Sequence, residues 1–322
     1  MDTAPINPQP ETPKPASPPA RSGRTFGAGL RVFIFGLAIL IALSALFGSL
    51  LKDRIGDASQ KIGIVEVIGV LTSSRDIVRQ LREFGEDESI RGIILRIDSP
   101  GGSVAPSQEI YDAVLKIRKS GKKIYASMGN LGASGGYYIA AAADRIFANP
   151  GTLTGSIGVI MAFSNFEELL RKIGLRPEVI KAGKFKDAGS PSRAMTKEER
   201  KYLQAVVDDV HSQFVEAITI GRGIDMEEAR KLASGQIFTG RQAKELNLID
   251  NLGGLEDAIA SLAEAVGIIG RPNIIQEEPD ISPLDWLLKS SISKEIRSTL
   301  SQTRFPLVQY LWVPGSPFGI VN

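Results

Sequence analysis

The residue best placed to do chemistry in this sequence is Ser134, which lies in the run Asn-Leu-Gly-Ala-Ser-Gly-Gly-Tyr-Tyr over residues 130–138. An apolar stretch suited to a β-strand precedes this run, and small residues suited to a helix follow it. Where a strand turns abruptly into a helix, the side chain at the turn is exposed beside free backbone N–H groups and the positive end of the helix dipole. Ser134 is therefore a candidate nucleophile.

A second glycine turn has the same layout. An apolar stretch over residues 92–97 leads into Asp98-Ser-Pro-Gly-Gly-Ser103, whose backbone N–H groups can be aimed at an anion. Together the two turns could supply a nucleophile and an oxyanion hole, the set of donors that stabilises a negatively charged intermediate. Each turn alone is also what ordinary tight packing produces, so neither decides the chemistry by itself.

A serine hydroxyl needs a base to remove its proton before it can attack a carbonyl carbon. The chain has no cysteine and one histidine, His211, which lies on a predicted long helix between Val210 and Phe214 and is presented by no glycine-rich turn. A structural role suits His211 better than a place in a Ser-His-Asp triad. The lack of cysteine also excludes thiol catalysis, disulfides and cysteine-based metal sites.

Lysine is the remaining usual base for a serine. Lys184 and Lys186 lie in a glycine-bounded loop over residues 183–192, which follows a predicted strand and can present a side chain into a cleft. With a reference pKa near 10.4, a lysine is held neutral at pH 7 at a cost of about 4 to 5 kcal/mol, which burial and substrate closure lower. The residues alone leave open whether these lysines are bases or solvated surface charges.

Alternating strands and helices must position these residues. Near-continuous apolar strands separated by amphipathic helices predict an α/β body whose strands are covered on both faces. Thr196 and Glu199 have the spacing of a capping box at the start of the longest helix. The predicted strands are 62–71, 92–97, 123–127 and 178–182, and the predicted helices are 73–84, 106–118, 134–143, 166–173, 196–220, 226–233, 240–246 and 255–266.

The first fifty residues predict a leader and a membrane anchor. Residues 1–24 carry seven of the chain's 18 prolines and little apolar content, so we expect a disordered leader over residues 1–31. Residues 32–51 carry no charge and would form a helix about 30 Å long, which matches a bilayer core. A cleaved secretory signal is the alternative, but its apolar region spans only about 7 to 15 residues.

The charges that flank this span predict its orientation. A slight excess of basic residues before the span favours a cytoplasmic N-terminus and places the body outside the cytoplasmic membrane. The flanking residues are Lys14, Arg21, Arg24 and Arg31 before the span, and Lys52, Arg54 and Lys61 after it. The net charge of +2 gives no reason to expect a nucleic acid partner.

The length and composition predict a globular body and a separate tail. A chain of 322 residues with 43% apolar composition can hold one large or two modest cores. The periodic pattern extends over about residues 60–270 and weakens over residues 271–322, where residues 305–312 are apolar and aromatic. We expect this tail to pack on the body or on a neighbouring subunit; an interfacial membrane contact is the alternative.

Four motifs follow one another along the chain and carry a family resemblance. They are Asp98-Ser-Pro-Gly-Gly-Ser103, Gly132-Ala-Ser-Gly-Gly-Tyr-Tyr138, Gly151-Thr-Leu-Thr-Gly-Ser-Ile-Gly158 and Lys184-Phe-Lys-Asp-Ala-Gly-Ser-Pro-Ser-Arg193. In this order and at these separations they resemble the motifs of signal peptide peptidase A, short-chain type, over roughly residues 60–270. The membrane anchor followed by an extracytoplasmic body also resembles that family.

The resemblance implies a serine endopeptidase with a Ser-Lys dyad on a ClpP/crotonase-like α/β fold of repeated ββα units, preceded by one transmembrane helix. By motif position, Ser134 matches the nucleophile, Lys186 the general base and Ser156 the serine whose hydroxyl orients that lysine. Gly101 or Gly102, together with the backbone N–H of Gly135, matches the oxyanion hole. Neither a metal nor another cofactor is expected.

The resemblance also implies substrates and an assembly. The family's substrates are remnant signal peptides left in the membrane after secretion. Its subunits form a dome-like homo-oligomeric ring in which the catalytic groove draws on neighbouring subunits, so Lys186 could act on the serine of the next subunit. A second hypothesis keeps the dyad and changes the target to a membrane-protein partner such as a stomatin-like protein. A third hypothesis, an acyl-CoA-binding or catalytically silent crotonase-like body, leaves the Lys-Asp loop and the paired glycine turns without an evident purpose.

Overall fold

The computed structural model describes residues 33–44, 46, 60–277 and 309–311, and the chain divides into the units Met1–Ile55 and Gly56–Asn322. In the first unit, residues 33–44 form a helix, α1, whose apolar side chains are exposed. Among the described residues, no helix combines the length and the apolar character needed to cross a membrane. The predicted leader and part of the predicted span lie outside the described residues.

The centre of the second unit is an eight-stranded, mostly parallel sheet. Its strands are β1 (Lys61–Ile68), β2 (Ile90–Ser99), β4 (Lys123–Ala133), β5 (Arg145–Ala148), β6 (Leu153–Gly155), β7 (Ile237–Thr239), β8 (Asn251–Leu252) and β9 (Asn273–Gln276). The main path runs β7–β6–β4–β2–β1–β9, and β5 links β4 to β8. A separate two-stranded antiparallel sheet joins β3 (Gly101–Ser103) to β10 (Gln309–Leu311).

Helices connect these strands. They are α2 (Arg75–Glu86), α3 (Val104–Lys119), α4 (Gly135–Ala141), α5 (Glu167–Lys172), α6 (Lys197–Arg222), α7 (Met226–Leu232), α8 (Gly240–Glu245) and α9 (Leu255–Ala265). The predicted capping box at Thr196 and Glu199 is present at the start of α6. The succession β2–β3–α3 is one strand–strand–helix unit of the expected kind.

The sheet is buried on both faces, as its apolar strands predict. Successive side chains of a strand point to opposite faces, and in β2 both sets are buried. Ile93 and Leu95 enter the larger core, whereas Ile94 enters a smaller one that includes Leu262 of α9. The expected mixed α/β architecture with a covered parallel sheet is therefore confirmed, and it agrees with a ClpP-like fold.

Two stretches differ from the sequence-based expectation. Strand β4 continues six residues past the predicted end at residue 127, so it leads directly into Ser134. The strand predicted over residues 178–182 is wrong, because in the described chain these residues are exposed and join no sheet. Its apolar Val179 and Ile180 gave the strand signal, yet both side chains are exposed.

The tail contributes strands that its weak pattern did not predict. Strand β9 pairs in parallel with β1 at the edge of the main sheet. Strand β10 packs on the body, where Tyr310 is fully buried, as expected for the stretch 305–312. The predicted packing of the tail on the body is thus confirmed for these two strands.

Candidate active site

Ser134 lies at the junction of β4 and α4 in a strained backbone conformation. Its φ angle is 53°, in the left-handed region that costs a residue with a side chain about 1 to 3 kcal/mol. Two hydrogen bonds impose this conformation: Ser134 N–H donates to the carbonyl of Gly155 (2.8 Å), and the Ser134 carbonyl accepts from Tyr138 N–H (2.8 Å). The sharp turn predicted for the nucleophile is present, but its predicted exposure is wrong: in one chain Ser134 is only 1% exposed, because β3 and β10 pack over the turn.

The two glycine turns predicted to form an oxyanion hole meet beside Ser134. Gly101 has a φ of 93°, and a Cβ added to it would lie 2.5 Å from the nitrogen of Gly135 and 3.1 Å from the Cβ of Ser134. The close approach of β3 to the nucleophile therefore requires glycine at position 101. Reciprocally, a Cβ on Gly135 would lie 3.3 Å from the nitrogen of Gly102.

The hydrogen bonds of β3 show which of Gly101 and Gly102 could donate its N–H in the predicted oxyanion hole. Gly101 N–H already donates to Ser99 Oγ (3.1 Å), and the Gly101 carbonyl accepts from Leu71 N–H (2.9 Å). Ser103 N–H donates to the carbonyl of Leu71 (2.7 Å), so the intervening Gly102 faces the opposite side, toward β10. Of the two predicted glycines, Gly102 is therefore the one whose N–H points toward β10.

Ser156 lies next to Ser134 because their strands are paired. Ala133 of β4 is in parallel register with Gly155 of β6, and each serine follows directly. Ser156 also has a left-handed φ, 50°, and its N–H donates to the carbonyl of Gln236 (2.7 Å). The structure thus brings together two buried, strained serines that the sequence placed 22 positions apart.

Within one chain, Lys186 makes no hydrogen bond to Ser134 among the described residues. Its side chain is exposed, and in the part of the chain that the structure describes no hydrogen bond or ion pair involves its Nζ. Its neighbour Lys184 pairs with Glu198 of α6 at 2.5 Å. The described residues of a single copy therefore contain no hydrogen bond between Ser134 and Lys186, and the dyad stays a prediction.

The segment around Lys186 is nevertheless held firmly on both sides. Phe185 stacks on Tyr202 of α6, with ring centroids 5.0 Å apart. Asp187 accepts from Arg193 Nε (2.9 Å) and from Lys181 Nζ, and these hydrogen bonds lower the pKa of the Asp187 carboxyl far below its usual range. The residues on both sides of Lys186 thus have side-chain contacts, and Phe185 packs directly on α6.

His211 has the structural role that its position on α6 predicted. Its Nε2 lies 2.9 Å from the carbonyl oxygen of Ala233, at the end of α7. That contact joins α6 to the end of α7, and no hydrogen bond links His211 to Ser134 among the described residues. Over the described ranges, no Ser-His-Asp arrangement is present.

Comparisons with known proteins identify the family. The model of peptidase family S49 matches residues 116–268, and a Clp protease model matches residues 49–152. A putative protease of Synechocystis is 44% identical over 210 residues, which are 65% of this chain and 76% of that protein. The chain belongs to peptidase family S49. The resemblance to signal peptide peptidase A, short-chain type, is confirmed, and this S49 chain is a serine endopeptidase.

Other relatives of this S49 peptidase come from distant organisms. A putative signal peptide peptidase SppA of Enterococcus faecium is 37% identical over 220 residues, which are 64% of this chain and 64% of that protein. A putative protease of the archaeon Methanocaldococcus jannaschii is 35% identical over 231 residues, or 70% of this chain and 74% of that protein.

The residues that the sequence analysis missed in this S49 peptidase belong to the tail. Gln309 is hydrogen-bonded to Ile160 in both directions, at 3.1 Å each, and Tyr310 lies opposite Gly102. The apolar and aromatic character of residues 305–312 was the available signal. It indicated burial but did not specify the strand to which the segment binds, because that strand is some 200 residues away in sequence.

Proposed function

We propose that this S49 peptidase works through a Ser-Lys dyad in which Ser134 is the nucleophile and Lys186 the general base. The conformation of Ser134 carries the proposal: a serine is held in a strained turn directly beside the N–H groups of Gly135 and Gly102. Strain that persists in a buried, fully hydrogen-bonded turn is characteristic of functional positions. Ser156, one residue beyond the turn that binds Ser134, is the proposed partner that orients the lysine.

The mechanism follows from these positions. Neutral Lys186 removes the proton of Ser134, and the alkoxide attacks a peptide carbonyl carbon. The N–H groups of Gly102 and Gly135 stabilise the oxyanion of the tetrahedral intermediate. The Lys186 ammonium then protonates the leaving amine, and the same lysine activates the water that hydrolyses the acyl-enzyme.

The exposure of Lys186 supports a site completed by a second copy of the chain. The segment from β6 to α6 also exposes large apolar side chains, which is unusual for a free surface and suits an interface between subunits. These side chains are Ile160, Phe166, Leu169, Ile173, Leu175, Val179 and Ile180. A homo-oligomeric ring in which each Lys186 enters the groove of its neighbour accounts for both features.

The proposed location and substrates follow from the N-terminal span and the relatives. Residues 32–51 would anchor the protein as a single-pass membrane protein with an extracytoplasmic catalytic body. One relative is named a putative signal peptide peptidase. Remnant signal peptides, which are apolar and lie in the same membrane, are the proposed substrates.

Kinetics of three variants test the dyad. With the full-length protein and a labelled apolar peptide, Ser134→Ala and Lys186→Ala should each lower kcat/KM by about 10³-fold or more, as loss of a catalytic pair does. Lys184→Ala is the matched control and should retain activity, because its Nζ pairs with Glu198 at the surface. Circular dichroism should show an intact fold in all three. Full turnover by Lys186→Ala would rule out this base.

A further inference from the structure

Strand β4 is interrupted by a β-bulge shortly before the nucleophile. The parallel pairing of β2 with β4 is regular up to Ile97, and it resumes with Ser99 opposite Gly132. Asp98 of β2 therefore lies opposite three residues of β4, 129–131, where a regular ladder would have one. Across this bulge β4 exchanges its neighbour β5 for β6. The bulge thus sets the register in which β4 enters the turn at the nucleophile.

The carboxylate of Asp98 binds this bulge. Its Oδ1 accepts from Leu131 N–H (3.2 Å), and its Oδ2 accepts from Asn130 Nδ2 (3.2 Å). A Cβ added to Gly129 would lie 2.8 Å from Asp98 Oδ2, so the carboxylate lies against the strand at a residue without a side chain. All three residues of the bulge are thus adjacent to one charged acceptor, and hydrogen bonds to a charged group are the stronger kind.

Other side chains hold the carbonyl groups around the bulge. Thr152 Oγ1 donates to the carbonyl of Gly129 (2.7 Å), and Thr154 Oγ1 donates to the carbonyl of Gly132 (2.6 Å). Both threonines are buried, and they connect β4 to β6. Asp98, in contrast, connects β4 to β2, the strand that leads into the glycine turn of β3.

Asp98 therefore lies between the two halves of the proposed catalytic site. Gly102, the proposed oxyanion donor, follows Asp98 by four residues, and Ser134 follows Leu131 by three. The distance between Ser134 Oγ and the N–H of Gly102 depends on where these two short segments begin. A displacement of about 1 Å between reacting groups can cost on the order of 10²-fold in rate. The contact between Asp98 and the bulge is thus in a position to control the chemical step.

We propose that Asp98 is a positioning residue for the hydrolysis: by holding Asn130 and Leu131, it fixes the separation between the nucleophile and the oxyanion hole. The inference rests on the proposed chemistry of Ser134. Asp98 transfers no proton in this role, since both of its partners belong to β4 and neither reacts. Its loss should lower kcat and leave KM nearly unchanged, because the alignment matters in the transition state rather than in substrate binding. A carboxylate that only stabilises the fold would leave the kcat of the folded protein unchanged.

Kinetics of the full-length protein with a labelled apolar peptide test this role. Asp98→Ala should lower kcat on the order of 10²-fold, with a change in KM of less than about twofold. The matched control is Asp76→Ala, which removes an exposed aspartate of α2 and should leave both constants near the original values. Urea denaturation of the same samples gives the folded fraction under assay conditions, so that each kcat refers to folded protein. An unchanged kcat in Asp98→Ala, whatever its stability, would overturn the inference.

An exchange of the two side chains tests the contact itself and does not depend on the folding of Asp98→Ala. Asp98→Asn alone places two amide groups against each other and should lower kcat by about tenfold, because it loses the hydrogen bond from Asn130. In the double variant Asp98→Asn with Asn130→Asp, the amide at position 98 can accept from Leu131 N–H and donate to the carboxylate at position 130. This double variant should recover most of the lost kcat.

The dependence on Ser134 separates this inference from the proposed function. Ser134-dependent cleavage that is unaffected by the Asp98 variants, or that the exchange does not recover, would overturn this inference and leave the Ser-Lys proposal standing. Cleavage that persists at the original rate in Ser134→Ala would overturn both.

Discussion

At the scale of single residues, the site depends on positions where a side chain is missing. Gly101, Gly102 and Gly135 let β3, α4 and β10 approach more closely than any substituted residue allows. The neighbours they meet are mostly backbone atoms, which cannot rotate away as a flexible side chain does. The glycines of the two turns are therefore required by close packing as well as by their N–H groups.

Gly102→Ala tests this requirement. Its new Cβ would overlap the backbone oxygen, nitrogen and carbonyl carbon of Leu71, so β3 must shift. The N–H of residue 102, the proposed oxyanion donor, would move with it. We expect a loss of about 1 to 3 kcal/mol in the free energy of unfolding and a fall in kcat greater than 10-fold, by analogy with overpacked cores and with lost oxyanion donors. Urea denaturation and peptide kinetics measure the two effects.

The matched control for that variant is Gly151→Ala. Gly151 lies in a turn with nothing within 4 Å of the added Cβ and without a left-handed φ, so its replacement should leave both stability and kcat near the original values. Equal behaviour of the two variants would show that the packing of β3 does not control the site.

At the scale of elements, the lysine loop is attached to α6 through a cluster of charges. Arg193 donates from Nη1 to Glu199 Oε2 (2.9 Å) and from Nε to Asp187 (2.9 Å), and Glu199 also caps α6 by accepting from Thr196 N–H (2.9 Å). Two hydrogen bonds lower the pKa of Glu199 from 4.5 to about 2, and the one from Arg193 has a larger effect than the one from Thr196. The same arginine lowers the pKa of Asp187.

Replacing Arg193 should change the dependence of stability on pH. Because the folded-state pKa of Glu199 is lowered, its contribution to stability is present above about pH 4.5 and is lost as the pH falls toward about 2. Arg193→Gln should have a lower free energy of unfolding than the original chain at pH 7. This difference in stability should become smaller between pH 5 and pH 3. The urea midpoints of both chains at pH 7, 5 and 3 measure this difference. A difference that is the same at all three pH values would show that Arg193 acts by packing alone.

The sequence predicted the strands and turns that have a local signal. It did not predict which strands pair when they are far apart in sequence. Apolar strands that end in glycine turns predicted β2, β4 and the turn at Ser134, because burial on both faces requires such runs. The run around Val179 and Ile180 has the same character but pairs with no strand among the described residues, so it misled the prediction. The pairing of Tyr310 with Gly102 has no local signature, since any extended apolar segment could enter that groove.

At the scale of the whole molecule, the position of Lys186 is the central question. The four motifs predicted its role by resemblance, yet in one chain its side chain is exposed and has no hydrogen bond to Ser134 among the described residues. The backbone around it is fixed by Phe185 and Asp187, so a large rearrangement of the loop would have to break a ring stack and two charged hydrogen bonds. In the proposed ring, a second copy of the chain would close the dyad without that rearrangement.

Mixed assemblies distinguish a lysine that acts between subunits from one that acts within its own. Co-expression of Ser134→Ala and Lys186→Ala chains, each with its own affinity tag, allows purification of oligomers that contain both. If the serine of one subunit uses the lysine of the next, an intact pair forms wherever a Lys186→Ala subunit precedes a Ser134→Ala subunit. In randomly mixed rings with such head-to-tail contacts, activity should reach about a quarter of that of the original protein.

The control pairs the Ser134→Ala chain with a chain that carries both substitutions, and these mixed oligomers should be inactive. If the lysine serves its own serine, the first mixture should be equally inactive, because every subunit lacks one member of its dyad. Activity in the first mixture alone would require that the site is built from two chains. The exposed apolar segment from β6 to α6 would then have its function as the surface that delivers Lys186 to the neighbouring groove.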